Sequence, residues 1–431
     1  MKQKLICIFF ALFGTLTTLQ VSAENYPYRS DYLWVTLPDH ADWLYQIGEQ
    51  AKVDVIFLKY GIPQDGTVEY SIGTDLLKAD QTGTAQLKNG RATIKMGTAK
   101  KPGFRDLRLS LKLDGKTYQH HVKVGFSVDR IQPFTQEPKD FRAFWQKGLD
   151  ELKQQPMNFT RELQPEYCND KVDTWLVKLQ IDRRHWLYGY LMMPKNAKKG
   201  AHPVVLTPPG AGVKTIKEFF NRSYFQEKGI IRFITEIHGL NPQLPEEHFS
   251  DVRSAFSDYL EMGLDNPDHY YMRHVYLGLV RCIDFLTSLP EWDGKNVATL
   301  GGSQGGALAL IGASLDPRVT LCVANHPALS DMAAGSACLT SGYPHFKDYL
   351  YTKANVATMA YYDVVNFARY ITCKTYMTWG YNDNTCPPTT SYAVWNKLKC
   401  EKESLVTPIN EHWTSDATNR GQMEWLLKNF K

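Results

Sequence analysis

Val297-Ala298-Thr299-Leu300-Gly301-Gly302-Ser303-Gln304-Gly305-Gly306-Ala307-Leu308-Ala309-Leu310 reads as a short apolar strand, a glycine-rich turn and an Ala/Leu-rich helix. Within it, Gly301-Gly302-Ser303-Gln304-Gly305 fits G-x-S-x-G, the tight strand-to-helix turn that lifts a serine hydroxyl clear of a sheet. Such a turn strains the serine backbone, and side chains at Gly301, Gly302 and Gly305 are expected to collide with the adjoining strand and helix. The helix that follows aims its first amides at negative charge forming near Ser303. A βα turn that only packs is the competing reading. The strand before and the helix after favour a nucleophile.

Working outward, apolar strand-like runs alternate with helical patterns from about residue 172. Strands are expected at 172–181, 187–193, 203–207, 230–236, 297–300, 319–324, 374–378 and 404–408, and helices at 271–288, 305–314 and 389–397. Compact Val- and Ile-rich strands followed by helices imply a mainly parallel α/β sheet covered on both faces. The first two strands, split by Asp182-Arg183-Arg184-His185, suit an antiparallel hairpin. Segment 241–268, with three prolines, is read as a lid or specificity insertion in preference to a surface excursion.

A serine hydroxyl is a weak nucleophile and needs a base, which needs an orienting acid. In this fold the partners follow in the order serine, acid, histidine, each just past a later strand. Asp383, in Tyr381-Asn382-Asp383-Asn384, and His412, in Asn410-Glu411-His412-Trp413, meet both conditions. Glu411 is poorly directed for orienting its own neighbour, and His326, His238 and His345 compete less well with His412. The oxyanion donors are expected to be the amide of Gln304 and one from Pro208-Pro209-Gly210-Ala211-Gly212. Prolines cannot donate, so Ala211 is the first choice and Gly210 the second. Pro209, His238, His326 and Trp413 are candidate pocket residues.

The N-terminal part follows another grammar. From about 30 to 128 the apolar positions alternate, and Asn89-Gly90 and Asp114-Gly115 read as two hairpin turns, giving a small all-β sandwich of immunoglobulin-like size. Its role reads as packing or assembly, with carbohydrate binding as the sharper alternative because Trp34, Trp43 and Tyr45 look exposed. A Pro-marked linker covers 129–138. An amphipathic helix over 139–155 carries Phe141, Phe144, Trp145, Leu149 and Leu152 on one face. Residues 1–23, with Lys2 and Lys4 before an apolar run and Val21-Ser22-Ala23 at its end, read as a cleaved secretory signal. The domain plan is therefore signal 1–23, sandwich 25–128, linker 129–138 and, over 139–431, the α/β unit that carries Ser303, in a secreted or periplasmic chain with no membrane association after cleavage.

Composition narrows the partners. A formal net charge of +4 over 431 residues, without a block of like charge, argues against nucleic acid. Of the eight cysteines, Cys7 falls in the signal; the odd remainder leaves at least one unpaired, and none is spaced for zinc. Cys322, in an apolar run, reads as a buried small hydrophobe.

Four segments together resemble the acetyl xylan esterase / cephalosporin-C deacetylase family: Tyr270-Tyr271-Met272-Arg273 with the following helix; Gly301 to Ala307; Asn382 to Pro388 with Ser391-Tyr392-Ala393; and Glu411-His412. The resemblance spans roughly 135–431. It implies an α/β-hydrolase that removes acetyl groups from small acetylated sugars or related esters without metal or cofactor. The catalytic roles would fall on Ser303, Asp383 and His412 and an amide role on Gln304. It also raises a homo-oligomer, which the extra N-terminal unit would block or alter. Two departures stand out: Pro209-Gly210-Ala211 replaces the family's His-Gly-Tyr, and Glu236-Ile237-His238-Gly239 replaces Arg-Gly-Gln-Gly. The competing functions are a prolyl-oligopeptidase-type serine peptidase, whose β-propeller is too large for this β region, and a non-catalytic carbohydrate-binding protein with a degenerate hydrolase unit.

Overall fold

The computed structural model describes residues 30–216 and 224–431; the expected signal, 1–23, lies outside the described residues. The N-terminal strands are β1 (Tyr32–Pro38), β2 (Leu44–Tyr45), β3 (Ala51–Lys59), β4 (Ile62–Pro63), β5 (Gly66–Thr74), β6 (Ala79–Leu87), β7 (Arg91–Gly97), β8 (Gly103–Leu113) and β9 (Lys116–Phe126). They form one sheet in the order β1-β3-β4, with β7 also on β3, and a second in the order β2-β9-β8-β5-β6. Period-two alternation explains the pairing. Val53, Val55 and Phe57 of one sheet and Val68, Leu109 and Val122 of the other are buried in a shared core, and the intervening polar residues face outward.

The two expected hairpins part company here. Asp114-Gly115 joins β8 to β9 in register, both residues having positive φ (50° and 73°) as a type I′ turn requires. Asn89-Gly90 has the same conformation but closes only a Lys88–Arg91 bridge. β6 pairs with β5 and β7 with β3, so this turn carries the chain between sheets. Tertiary contacts decide it: the Gly90 carbonyl accepts the Phe57 amide, and a Cβ on Gly90 would lie 2.7 Å from Pro63. Trp34 and Tyr45 are buried core residues and Trp43 packs half-buried against the core, which removes the observation behind a carbohydrate-binding role for these rings.

The second half holds β10 (Phe159–Leu163), β11 (Val172–Gln180), β12 (Trp186–Pro194), β13 (His202–Thr207), β14 (Ile231–Thr235), β15 (Trp292–Gly302), β16 (Leu321–Asn325), β17 (Lys374–Gly380) and β18 (Lys402–Thr407). They make one nine-stranded sheet in the order β10-β11-β12-β14-β13-β15-β16-β17-β18. The first three pairings in this order are antiparallel and the rest parallel. β10 gave no sequence signal because all five of its residues are exposed. The helices are α1 (Phe141–Lys153), α2 (Tyr224–Glu227), α3 (Glu246–Ala255), α4 (Met272–Ser288), α5 (Gln304–Leu315), α6 (Lys353–Tyr362), α7 (Val364–Phe367), α8 (Pro388–Trp395) and α9 (Asp416–Asn429). On one face α1, α4 and α5 close the main core, with Phe141, Trp145 and Leu152 of the α1 stripe buried in it. On the other, Met423, Trp425 and Leu426 of α9 and Phe225 of α2 cover Val205, Ala298 and Val323. The result is the expected α/β-hydrolase sheet behind a β-sandwich. Among the described residues no helix is long and apolar enough to cross a membrane, and seven cysteines are free thiols, Cys322 fully buried.

Candidate active site

Ser303 sits between β15 and α5 with φ 59° and ψ −124°, a conformation costly for any residue with a side chain. The strain is held from three sides: the Ser303 amide donates to the Asn325 carbonyl (3.0 Å), and the Ser303 carbonyl accepts the Ala307 and Ala328 amides (both 3.0 Å). A Cβ on Gly301 would lie 2.2 Å from the Gly305 carbonyl oxygen, one on Gly305 2.6 Å from that of Pro208, and one on Gly306 2.5 Å from that of Asn325. Gly302 differs from expectation. Its nearest neighbour, His326 Nε2, would be 3.5 Å away, an ordinary contact, so Gly306 takes the steric role expected of Gly302.

The acid and the imidazole come from the next two loops along the sheet. Asp383 follows β17 and is fully buried; its Oδ1 accepts the amides of Thr385 and Cys386 (both 2.8 Å). That leaves Oδ2 for Nδ1 of His412, 2.8 Å away on the loop after β18. The two loops approach because residue 380 is glycine: a Cβ there would lie 2.0 Å from the Asn410 carbonyl oxygen. The Asn382 amide donates to the same carbonyl (3.1 Å). Among the described residues no hydrogen bond joins the Ser303 hydroxyl to His412; the hydroxyl lies against the Cys386 thiol, whose pKa burial pushes well up. The His326 ring, at the end of β16, sits 4.4 Å from that of His412, centroid to centroid. Burial, and secondarily His412, lower the His326 pKa to about 4, so it adds no charge at neutral pH.

Ligand-type atoms of His326, Asp383 and His412 lie within 4.8 Å of one another. Yet Nδ1 of His412 and both Asp383 oxygens are already engaged in hydrogen bonds. The set is organised to orient an imidazole, not splayed around a cation.

Gln304 opens α5, so its amide has no acceptor within the helix. Gly210 lies near the elbow, where a Cβ would be 4.0 Å from the Gly302 carbonyl oxygen, and Ala211 beside it is half-buried. Among the described residues neither donates its amide in a hydrogen bond. Segment 241–268 packs against this loop. Its Tyr259, 2% exposed, donates to Oε1 of Gln304 (2.5 Å) and accepts the Gly212 amide (3.4 Å), and Arg253 donates to the Val213 carbonyl (3.2 Å). Tyr259 carried no motif and was missed in the sequence. Its role depends on a contact 45 residues along the chain.

The pocket candidates separate. Pro209, Gly210 and His238 line a cavity of about 430 Å³ together with Thr207, Gly212 and Glu236. His238 donates to or accepts from the Tyr271 hydroxyl (2.8 Å), and burial lowers its pKa to about 4. In place of the family's Arg-Gly-Gln-Gly, the Glu236 carboxylate accepts the amides of Tyr188, His238 and Leu240. His326 packs beneath His412 with 7% exposure, and Trp413 lies on the surface with 51%.

Comparison with known proteins places this geometry in a lineage. Residues 127–429 match the acetyl xylan esterase (AXE1) family model. Acetyl esterase Axe7A of Xylanibacter ruminicola is 57% identical over 436 residues, covering 100% of this chain and 98% of that protein, the β-sandwich included. Two solved structures share the fold: acetyl xylan esterase from Paenibacillus sp. R4 (24% identity, TM-score 0.61) and acetyl xylan esterase 1 from Thermoanaerobacterium sp. JW/SL YS485 (21%, 0.60). Each covers 70% of this chain and 98% of its own. A strained serine elbow, a buried acid on an imidazole and a match over most of the chain lead to one conclusion: the chain belongs to the acetyl xylan esterase family and is a carboxylic ester hydrolase that removes acetyl groups.

Proposed function

We propose that Ser303 is the nucleophile, His412 the general base and acid, and Asp383 the group that orients the imidazole. The amides of Gln304 and Ala211, with Gly210 as neighbour, bind the oxyanion, and the substrates are acetylated oligosaccharides of the xylan type. Ser303 Oγ attacks the acetyl carbonyl while His412 Nε2 takes its proton. The tetrahedral intermediate collapses to an acyl-enzyme as the imidazolium protonates the departing sugar oxygen, which leaves as a hydroxyl. Water, deprotonated by His412, then releases acetate and restores Ser303. The Ser303–His412 hydrogen bond forms when substrate fills the site, since catalytic hydrogen bonds tighten in the Michaelis complex. The observation that supports the reading best is the 2.8 Å Asp383–His412 bond at the rim where β15 delivers a strained serine.

The same proposal divides the chain into a sandwich over 25–128, a linker over 129–138 and the esterase unit over 139–431, exported by the 1–23 signal. Acetate release from acetylated xylo-oligosaccharides and p-nitrophenyl acetate is the test. Ser303→Ala is expected to lose roughly 10³-fold or more in kcat with an unchanged circular dichroism spectrum. Retained activity would end the assignment.

A further inference from the structure

The N-terminal sandwich does more than sit beside the esterase unit. Lys123, on β9, is fully buried, and so is Asp75, which follows β5. Their ion pair measures 2.8 Å. A lysine without solvent is expensive unless its donors are met, and Asp75 is only one of the groups Lys123 meets. Its Nζ donates to the main-chain carbonyl of Asp383 at 2.7 Å, and its own amide donates to Oδ1 of Asn382 at 3.0 Å. Asp75 is tied to the same loop from the other side: its Oδ2 accepts the hydroxyl of Thr389, in the first turn of α8 (3.0 Å). One strand of the sandwich therefore grips the two residues that set the direction of the Asp383 carboxylate.

We propose that Lys123, held by Asp75, is a positioning residue for the esterase reaction, clamping the main chain of the loop that presents Asp383 to His412. This rests on the triad reading above. The chemistry is simple. The Asp383 side chain has one oxygen fixed by two amides and one left for the imidazole. With the carbonyl clamped as well, the peptide plane on which that side chain hangs cannot swing. A displacement of about 1 Å in such a group can cost on the order of 100-fold in rate. β9 touches the histidine loop too, with His121 Nε2 3.7 Å from Oε1 of Glu411, so both catalytic loops rest on one strand. Around the pair, Asp106 is engaged by Arg108 (2.7 Å) and His121 (3.3 Å); against the cost of its burial, the His121 hydrogen bond and then the charge of Lys123 hold its carboxyl below the usual carboxylate range.

The bland alternative is that Lys123 only neutralises Asp75. Two variants separate the readings. Lys123→Met alone strands a buried carboxylate and is expected to destabilise the fold. The pair Asp75→Asn with Lys123→Met removes both charges, and buried ion pairs replaced together are commonly neutral in stability. If Lys123 positions Asp383, the folded double variant loses roughly 10- to 100-fold in kcat on p-nitrophenyl acetate with KM little changed. The acid limb of its kcat/KM profile moves about one pH unit lower, because a displaced carboxylate supports the imidazolium less. Wild-type kcat and an unmoved acid limb in the double variant would overturn the proposal. So would a double variant that melts as early as Lys123→Met, which would mark the pair as scaffold. Wild-type enzyme that releases no acetate would sink the triad reading and this proposal together, an outcome distinct from a failure confined to the double variant.

Discussion

At the scale of single residues, the elbow sorts its glycines by what each would strike. Gly305 faces the Pro208 carbonyl and Gly302 faces only a side-chain edge at contact distance. Gly305→Ala is therefore expected to displace either the oxyanion loop or the start of α5 and to lower kcat by at least about 10²-fold. Gly302→Ala should remain within a few-fold of wild type, and steady-state kinetics of the two variants side by side checks the ordering. Gly380→Ala belongs with the first class, since its Cβ would meet the Asn410 carbonyl and part the two loops that hold Asp383 and His412. The motif marked Ser303 as special, but it could not rank these glycines. The atoms they would strike belong to other strands, and a local pattern carries no information on which carbonyl lies opposite.

At the scale of elements, the segment between β14 and α4 packs against the 210–213 loop, proposed above to carry an oxyanion donor, rather than making a free excursion. Phe249, Tyr259, Leu260 and Leu264 are buried, and the Tyr259 hydroxyl bridges Gln304 and Gly212. Tyr259→Phe keeps the packing and removes the bridge. It is expected to lower kcat by roughly 3- to 10-fold with a smaller change in KM, the signature of loosened donors rather than lost binding. Long runs with strong periodicity, such as α1 and α4, were legible, whereas β10 was not. A strand exposed along its length has no apolar alternation to read, and it exists because the β11 edge offers unpaired amides and carbonyls.

For the molecule as a whole, the sandwich and the esterase sheet share core. Phe104, Val128 and Ile131 belong to the large cluster of the esterase unit, and Phe104 packs 4.9 Å from the ring of Tyr381, beside Asp383. A chain starting at residue 127 is expected to be insoluble or to have lost nearly all acetate-releasing activity, a contrast that expression of both forms would measure. Acid stability follows from buried histidines. Burial lowers His120, His238 and His326 to about 4 and His274 to about 3. The unfolded chain binds protons at these sites from about pH 6.5 downward and the folded chain does not. Stability is thus fully present above 6.5 and is lost as pH falls toward 4. Burial raises the Asp331 and Asp363 carboxyls, which act in the opposite sense. The difference between wild type and His274→Asn isolates one site. Urea unfolding between pH 6.5 and 4.5 should show the slope of stability against pH reduced by about 1.4 kcal/mol per unit in the variant.

The sequence by itself determined the α/β sheet and the β-rich front, and it placed Ser303, Asp383 and His412 in the order on which the proposed triad rests. Each is written in local terms: apolar periodicity, turn glycines, and polar residues just past a strand. Only the tertiary structure decided that Asn89-Gly90 joins two sheets, that Trp34 and Tyr45 are core, that Tyr259 bridges Gln304 and Gly212 and that Lys123 reaches the Asp383 loop. These depend on pairs far apart in sequence, 260 residues for Lys123 and Asp383. A buried charge or an aromatic ring looks the same in the sequence whichever partner it meets, and the partner is chosen by how two sheets and their loops pack.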